Sequence, residues 1–457
     1  MSKRGSSPPA PGGSVHELPR VLGIFSVVGI VVGTMIGSGI FVNPPVVAGM
    51  VGTPELILAV WIVGGVLCLS GALSLAELGA AQSDAGGIYV HLREAYGPMP
   101  AFLFGWSLFL VIGSGSMATL AVAFSSKYLT YFVRLSPLAE KAVAVAIILI
   151  LTVINVLGVR KGAGLMNVLT AVKFVALIGI CTLVFLFAGG SVGNYQSTPA
   201  SARPPGSTVG NFGIALIAAL WAYKGWENST YSVGEVRRPK RTFPLGLLIG
   251  TVVVVFLYLI ANLAYLYVLP AADMAKSEHI ASDVMRAAIG PLGASVTSVI
   301  ILMSIFGTAN SHVLTAPRAL YAMAKDGFFF KSMARVNPRY RTPSTAIIVF
   351  AAWGCVLCAS GTFEQLLTFV MFGYWIFMGL AVAGVMVMRR KDPGRPRPYK
   401  AWGYPVTPIL FILGVVLLTA NSLVKQFWNS FAGLGIIAIG IPVYYFWKLR
   451  RKGTPGC

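Results

Sequence analysis

Apolar stretches of membrane-crossing length recur from residue 20 to residue 449, and nothing else in the sequence constrains the fold so tightly. A helix needs about 20 residues to cross a hydrocarbon core roughly 30 Å thick. Runs bounded by Pro, Gly or charge clusters fall at 20–48, 55–80, 98–132, 139–159, 164–188, 211–237, 243–269, 292–325, 343–360, 364–390, 405–427 and 430–449. They predict an all-α integral membrane protein of twelve transmembrane helices. Of 457 residues only 11% are charged, against about 25% in a soluble domain, so little chain remains for a large soluble part.

Basic residues set the orientation, because short cytoplasmic loops hold the excess of Lys and Arg. With the N-terminus inside, Arg134, Lys141, Arg203, Lys276, Arg286 and Lys425 lie outside, and Lys127, Lys173 and Lys224 lie within spans. The rest of the 35 Lys and Arg then face the cytoplasm. Residues 1–19, rich in Ser, Pro and Gly, are expected as a disordered cytoplasmic tail before a retained first span, and 450–457 as a second cytoplasmic tail. The net charge of +21 does not mark a nucleic-acid partner. Its residues are scattered over many loops, as in Arg237, Arg238, Lys240 and Arg241, without the contiguous stripe a polyanion needs. They meet anionic headgroups of the cell membrane instead.

Catalytic and metal chemistry find no constellation. Cys68, Cys181, Cys355 and Cys358 sit in apolar runs and Cys457 in the tail, so no disulfide framework is expected. Cys355 and Cys358 have no neighbouring His or acidic cluster to complete a metal or redox site. His16, His91, His279 and His312 are dispersed. Glu77 and Asp84 flank a turn at the inner end of the second run, where a gate or a solvated turn accounts for them. The expectation is no enzyme, no metal and no cofactor; nor is there a ring of carbonyls or charges as in a channel.

Two runs are not plain apolar helices. The first holds Gly33-Thr34-Met35-Ile36-Gly37-Ser38-Gly39-Ile40-Phe41 near its middle, and the sixth holds Trp221-Ala222-Tyr223-Lys224-Gly225-Trp226-Glu227-Asn228. Glycine disfavours continuous helix by about 1 kcal/mol relative to alanine, and charge at membrane depth costs ~3 kcal/mol or more. Gly29, Gly33 and Gly37 also have the small-x-x-x-small spacing of close helix packing. The matching polar break five helices later favours a binding site, since paired broken helices at corresponding places of an inverted repeat mark a transporter site near the midplane. The chain divides accordingly into 20–188, the inverted second repeat 211–390, and two further helices at 405–449.

At these residues the chain resembles the amino acid, polyamine and organocation transporter superfamily, and within it the L-type amino acid transporter family, most like bacterial members. Gly37-Ser38-Gly39-Ile40-Phe41 is similar to that family's first-span signature. Ala76-Glu77-Leu78-Gly79, Gly86-Gly87-Ile88-Tyr89, Asn155-Val156-Leu157-Gly158, Glu235-Val236-Arg237-Arg238-Pro239 and Arg397-Pro398-Tyr399-Lys400 follow in order. The resemblance implies the LeuT fold, with two inverted five-helix repeats, two C-terminal helices, and helices 1 and 6 unwound. It also implies sodium-independent exchange of neutral L-amino acids by alternating access.

Helix ends supply the expected chemistry. Unwinding the first span bares N–H groups at Ser38, Gly39 and Ile40 that can hold an α-carboxylate. The carbonyls of Met35, Trp221, Ala222 and Lys224 can accept from the α-ammonium. Gly37 and Gly39 matter because a Cβ would crowd the carboxylate. By resemblance Trp221 is the occluding gate, with Asn262, Phe372 and Trp375 as further pocket or gating candidates. Lys173, deep in the fifth run, stands by resemblance where sodium symporters of this fold hold their ion, with Gly33 and Ser304 as partners.

Two departures qualify the resemblance. Lys224 replaces the small residue or Asp usual at its place; with its ammonium turned away, or paired to Glu227 one turn on, it argues against lysine or arginine as cargo. Animal members attach to a heavy subunit through a cysteine between spans 3 and 4, whereas residues 134–141 read RLSPLAEK, which implies no heavy chain. A proton-coupled symporter in which Lys173 loses and regains a proton is the nearest alternative, and a membrane enzyme the distant one.

Overall fold

The computed structural model describes residues 20–82, 84–196, 207–360, 363–425 and 427–452. The expected tail at 1–19 and most of 450–457 lie outside these. The described residues are almost entirely helical; their only strand-like pairing is an isolated parallel bridge between Leu22 and Val236.

The first apolar run is two helices, α1 (Ile24–Met35) and α2 (Gly39–Val51), bent by 42° across a three-residue break. Next come α3 (Pro54–Ala81), the short amphipathic α4 (Ile88–Tyr96), and the third run, α5 (Pro98–Ser107) and α6 (Gly113–Ala123), joined and followed by π-turns. The fourth and fifth runs are α7 (Pro137–Val156) and α8 (Val159–Phe187). The sixth is broken like the first, into α9 (Thr208–Tyr223) and a single turn α10 (Asn228–Tyr231). Beyond it lie α11 (Pro239–Val268), α12 (Ala271–Met274), α13 (Ile280–Thr315), α14 (Pro317–Lys325), α15 (Ser344–Ser360), α16 (Phe363–Lys391), α17 (Val406–Lys425) and α18 (Phe427–Lys452).

Local chemistry explains many of these ends. Thr53 and Ser136 cap α3 and α7 by accepting from Leu56 N and Ala139 N, each with Pro in the first turn. α13 begins earlier than the expected 292, at Ile280, and breaks at Gly290, whose φ of 76° suits glycine. α18 runs past the expected 449 to Lys452.

Among the described residues nine helices are long and apolar enough to cross a membrane, or ten when α1 and α2 count as one. The apolar α9 and α15 are shorter, at 16 and 17 residues. The protein is therefore an integral membrane protein. α1 packs on α8, α11 and α13, and α2 packs on α9, so the two broken runs meet in the middle of the bundle. Ile62, Val63, Phe256 and other apolar side chains turned outward would be a liability in water and suit a lipid surface, as the 62% exposure of Phe256 illustrates.

Candidate functional site

The break in the first run is held by its neighbours. Ile36 leaves helical geometry at ψ 84°, and Gly37 N–H turns back to the Met35 carbonyl at 2.8 Å. The N–H groups of Ser38, Gly39 and Ile40 then open α2 with no acceptor among the described residues. In the sixth run Lys224 takes an extended ψ of 145° and Gly225 a φ of 123°, which ends α9 and starts α10 three residues later. A Cβ on Gly39 would overlap the main chain of Ala222, and one on Gly225 would press on Thr34. The two breaks touch because these positions are glycine.

Tyr258, on α11, fastens both breaks. Its hydroxyl donates to the Met35 carbonyl at 2.6 Å and reaches the Ala222 carbonyl at 3.3 Å. Trp61 and Tyr223 wall the ring in at centroid distances of 5.9 and 5.2 Å. The Ala222 carbonyl keeps a second lone pair and can accept from another donor, whereas the Met35 carbonyl already receives both the Gly37 N–H and the Tyr258 hydroxyl. The Trp221 carbonyl already receives the Lys224 N–H at 3.2 Å.

Lys173 reaches the break from α8. Buried at 1% exposure, its Nζ donates to the carbonyls of Gly33 at 2.6 Å and Ile36 at 2.8 Å and to Thr308 Oγ1 at 3.0 Å. Ser304 Oγ donates to the same Ile36 carbonyl at 3.0 Å. Carbonyls released by unwinding thus converge on one ammonium, which is how a charge is held away from water.

A narrow cavity lies between the breaks, lined by Met35, Ser38, Trp221, Lys224, Thr308 and His312 among others. A second lies on the other side of Lys224 and His312 and is lined by Glu227, Tyr231 and Tyr374. A larger one lies at the bundle end that carries the N-terminal segment, between Arg20, Asp84, Arg93 and Asp326. The cavity between the breaks is the candidate site, because the bare helix ends open there and not at the larger one.

Lys224 does not bond to Glu227 as the sequence allowed. Its Nζ donates to Ser116 Oγ at 2.6 Å and lies 5.2 and 4.9 Å from the ring centroids of Trp221 and Tyr374. Glu227 instead accepts the Gly225 N–H at 2.9 Å, so the carboxylate braces the break.

The structure brings Met35, Gly37, Ser38, Gly39, Ile40, Trp221, Ala222 and Lys224 together, and Lys173 with Gly33 and Ser304. Asn262 is set apart, donating to the Tyr258 carbonyl at 2.8 Å from one turn along α11. Phe372 faces Gly433, and Trp375 packs on Phe411 at 6.3 Å; the α16 side chain at the cavities is Tyr374. Tyr258, Thr308, His312, Ser116 and Tyr374 are residues to which the sequence reading gave no role at the site.

Ion pairs tie together the end that carries the N-terminal segment. Glu235 and Arg318 form a fully buried pair, and Asp326 accepts from Tyr89 at 2.8 Å and Arg93 at 2.7 Å. Glu77 binds Arg389 and the Ala401 N–H, so it anchors the α16–α17 connection instead of forming a solvated turn. On α4, His91 meets Gln82 at 2.8 Å, and burial pushes its imidazole down to about 3. Burial, reinforced by Asp326, holds the Tyr89 phenol above its ordinary value. Among the described residues no group of three or more His, Cys, Asp or Glu converges.

Comparison with known proteins gives consistent matches along nearly the whole chain. A family model for amino acid permeases matches residues 22–441. The human b(0,+)-type amino acid transporter 1 is 33% identical over 96% of this chain and 90% of its own length. The serine/threonine exchanger SteT of Bacillus subtilis is 31% identical over 95% of this chain and 98% of its own. The human cystine/glutamate transporter is 31% identical over 97% of this chain and 88% of its own.

Proposed function

The chain belongs to the amino acid permease family, and on that premise we propose that it exchanges L-amino acids across the cell membrane without sodium, by alternating access. Cargo sits between the two broken runs. The N–H groups of Ser38, Gly39 and Ile40 take the α-carboxylate, and the carbonyls of Met35, Trp221, Ala222 and Lys224 face the α-ammonium. Main chain reads what all amino acids share. Trp221 closes the cavity, and Asn262, Phe372 and Trp375 act through the packing around it.

The observation that carries the sodium-free reading is Lys173, whose ammonium lies among the carbonyls of Gly33 and Ile36 and the Thr308 hydroxyl. A second cation there would meet like charge at a few ångströms. Exchange between relatives is named in the serine/threonine exchanger. The twelve-span count, the division into 20–188, 211–390 and 405–449, the cytoplasmic termini and independence from a heavy chain belong to the same proposal. Neutral cargo is expected over cationic cargo because of the Lys224 charge.

Counterflow tests this directly. Purified protein in sodium-free liposomes, preloaded with unlabelled amino acid and without a pH gradient, takes up labelled amino acid. Uptake that needs no internal substrate and collapses with a protonophore would replace exchange by proton symport.

A further inference from the structure

We propose that Lys224 makes the central cavity select amino acids whose side chain ends in a carboxylate. The proposal rests on the exchange reading above and deepens it by naming a substrate class.

Charge and geometry carry the argument. Lys224 is 8% exposed, and what exposure it has opens on cavities. An ammonium has three N–H donors, and among the described residues Nζ has one hydrogen-bond acceptor, Ser116 Oγ at 2.6 Å. The faces of Trp221 and Tyr374 attract the charge without supplying a lone pair of comparable strength. Glu227 lines only the cavity beyond, and its carboxylate is engaged by the Gly225 N–H.

Among the described residues no carboxylate lines the cavity between the helix breaks, whose other polar side chains are Thr34, Ser38, Trp221, Thr308 and His312. Seating a neutral zwitterion there puts an excess of positive charge into this cavity, the Lys224 cation beside the cargo's own α-ammonium, because the counter-charge that Lys224 feels, Glu227, lies in the cavity beyond. A second carboxylate on the cargo removes that excess and offers Nζ a charge-assisted acceptor. A cationic side chain worsens it. Ser116 then serves as a resting acceptor that holds the ammonium between transport cycles.

The test compares isosteric pairs, L-glutamate with L-glutamine and L-aspartate with L-asparagine, as competitors of counterflow in sodium-free proteoliposomes. On the unaltered protein the acid of each pair should compete about tenfold or more tightly than its amide, the size of one hydrogen bond to a charged group. In Lys224→Gln the acid-to-amide ratio should fall to about one, while Lys224→Arg should keep it above one. Amides that compete as well as acids, or a ratio that Lys224→Gln leaves in place, overturn the proposal. The substrate pairs need no variant, so a misfolded Lys224→Gln does not shelter it. Exchange of leucine or glutamine without exchange of either acid sinks this proposal alone; the absence of exchange with any amino acid sinks the exchange reading and this proposal together.

Discussion

Replacing Lys173 by methionine keeps the length of the side chain and deletes its charge. Three donated bonds disappear, to Gly33 O, Ile36 O and Thr308 Oγ1 at 2.6 to 3.0 Å. Neither carbonyl is orphaned, because Ser304 Oγ reaches Ile36 O at 3.0 Å and Thr308 Oγ1 reaches Gly33 O at 3.2 Å. Each hydroxyl has one proton, so two carbonyls keep one donor each. The loss is the charge-assisted part, about 1.5–3 kcal/mol per bond, offset by relief from burying an ammonium, several kcal/mol. A net weakening of the bent first run of about 2–3 kcal/mol follows. If that bend is the state that takes cargo, the initial rate of counterflow should fall about 30- to 150-fold. The assay is counterflow in sodium-free proteoliposomes, with the amount of monodisperse protein equalised. A Lys173→Met or Lys173→Ala protein that exchanges at the parental rate would refute the coupling role.

Three further substitutions probe separate links. Gly39→Ala drives a Cβ into the main chain of Ala222; it should lower counterflow about tenfold or more by parting the two breaks, whereas parental exchange would mean that the breaks need not touch. Glu235→Gln leaves the buried Arg318 guanidinium without its counter-charge, a cost of about 3–5 kcal/mol, visible as a lower Tm in detergent; an unchanged Tm contradicts the reading of that pair as structural. His91 is held down to about 3 by burial, below the unfolded value of about 6.5. The unfolded chain therefore binds the extra proton between those values, and stability drops as pH falls through that window, by at most about 1.4 kcal/mol per pH unit. His91→Gln should flatten the loss of Tm between pH 7.5 and pH 5, and an identical pH profile would show that other groups set it.

Helix length and the two breaks were legible because both are local. Gly33 to Phe41 and Trp221 to Asn228 each pack glycine and polar residues into an apolar run, and each is where the helix unwinds. Lys173 was legible for the same reason, a charge deep in a hydrophobic stretch. Tyr258 was not, since a tyrosine in Val252 to Val268 looks like any core aromatic, and only tertiary packing brings its hydroxyl to Met35 and Ala222. Ser304, Thr308, Ser311 and Thr315 did carry a signal. Their spacing of four, three and four puts them on one face of α13, the face turned to α1, where Thr34 Oγ1 meets Ser311 Oγ. The partner of Lys224 was misread because sequence spacing brings Glu227 near, whereas the chain unwinds between them and leaves helical periodicity behind. Phe372 and Trp375 flank the α16 residue at the cavities, Tyr374, which shows how a helical face is decided by a single position.

The central claim is that main chain at two helix breaks grips the two charges common to all amino acids. Its most direct test is competition of counterflow by each amino acid that drives exchange, set beside its α-methyl ester and its N-acetyl derivative. Each modification cancels one of the two charges and keeps the side chain. Only the intact zwitterion should compete at low concentration, with both derivatives weaker by about tenfold or more. Derivatives that compete as well as the parent amino acid would contradict the account.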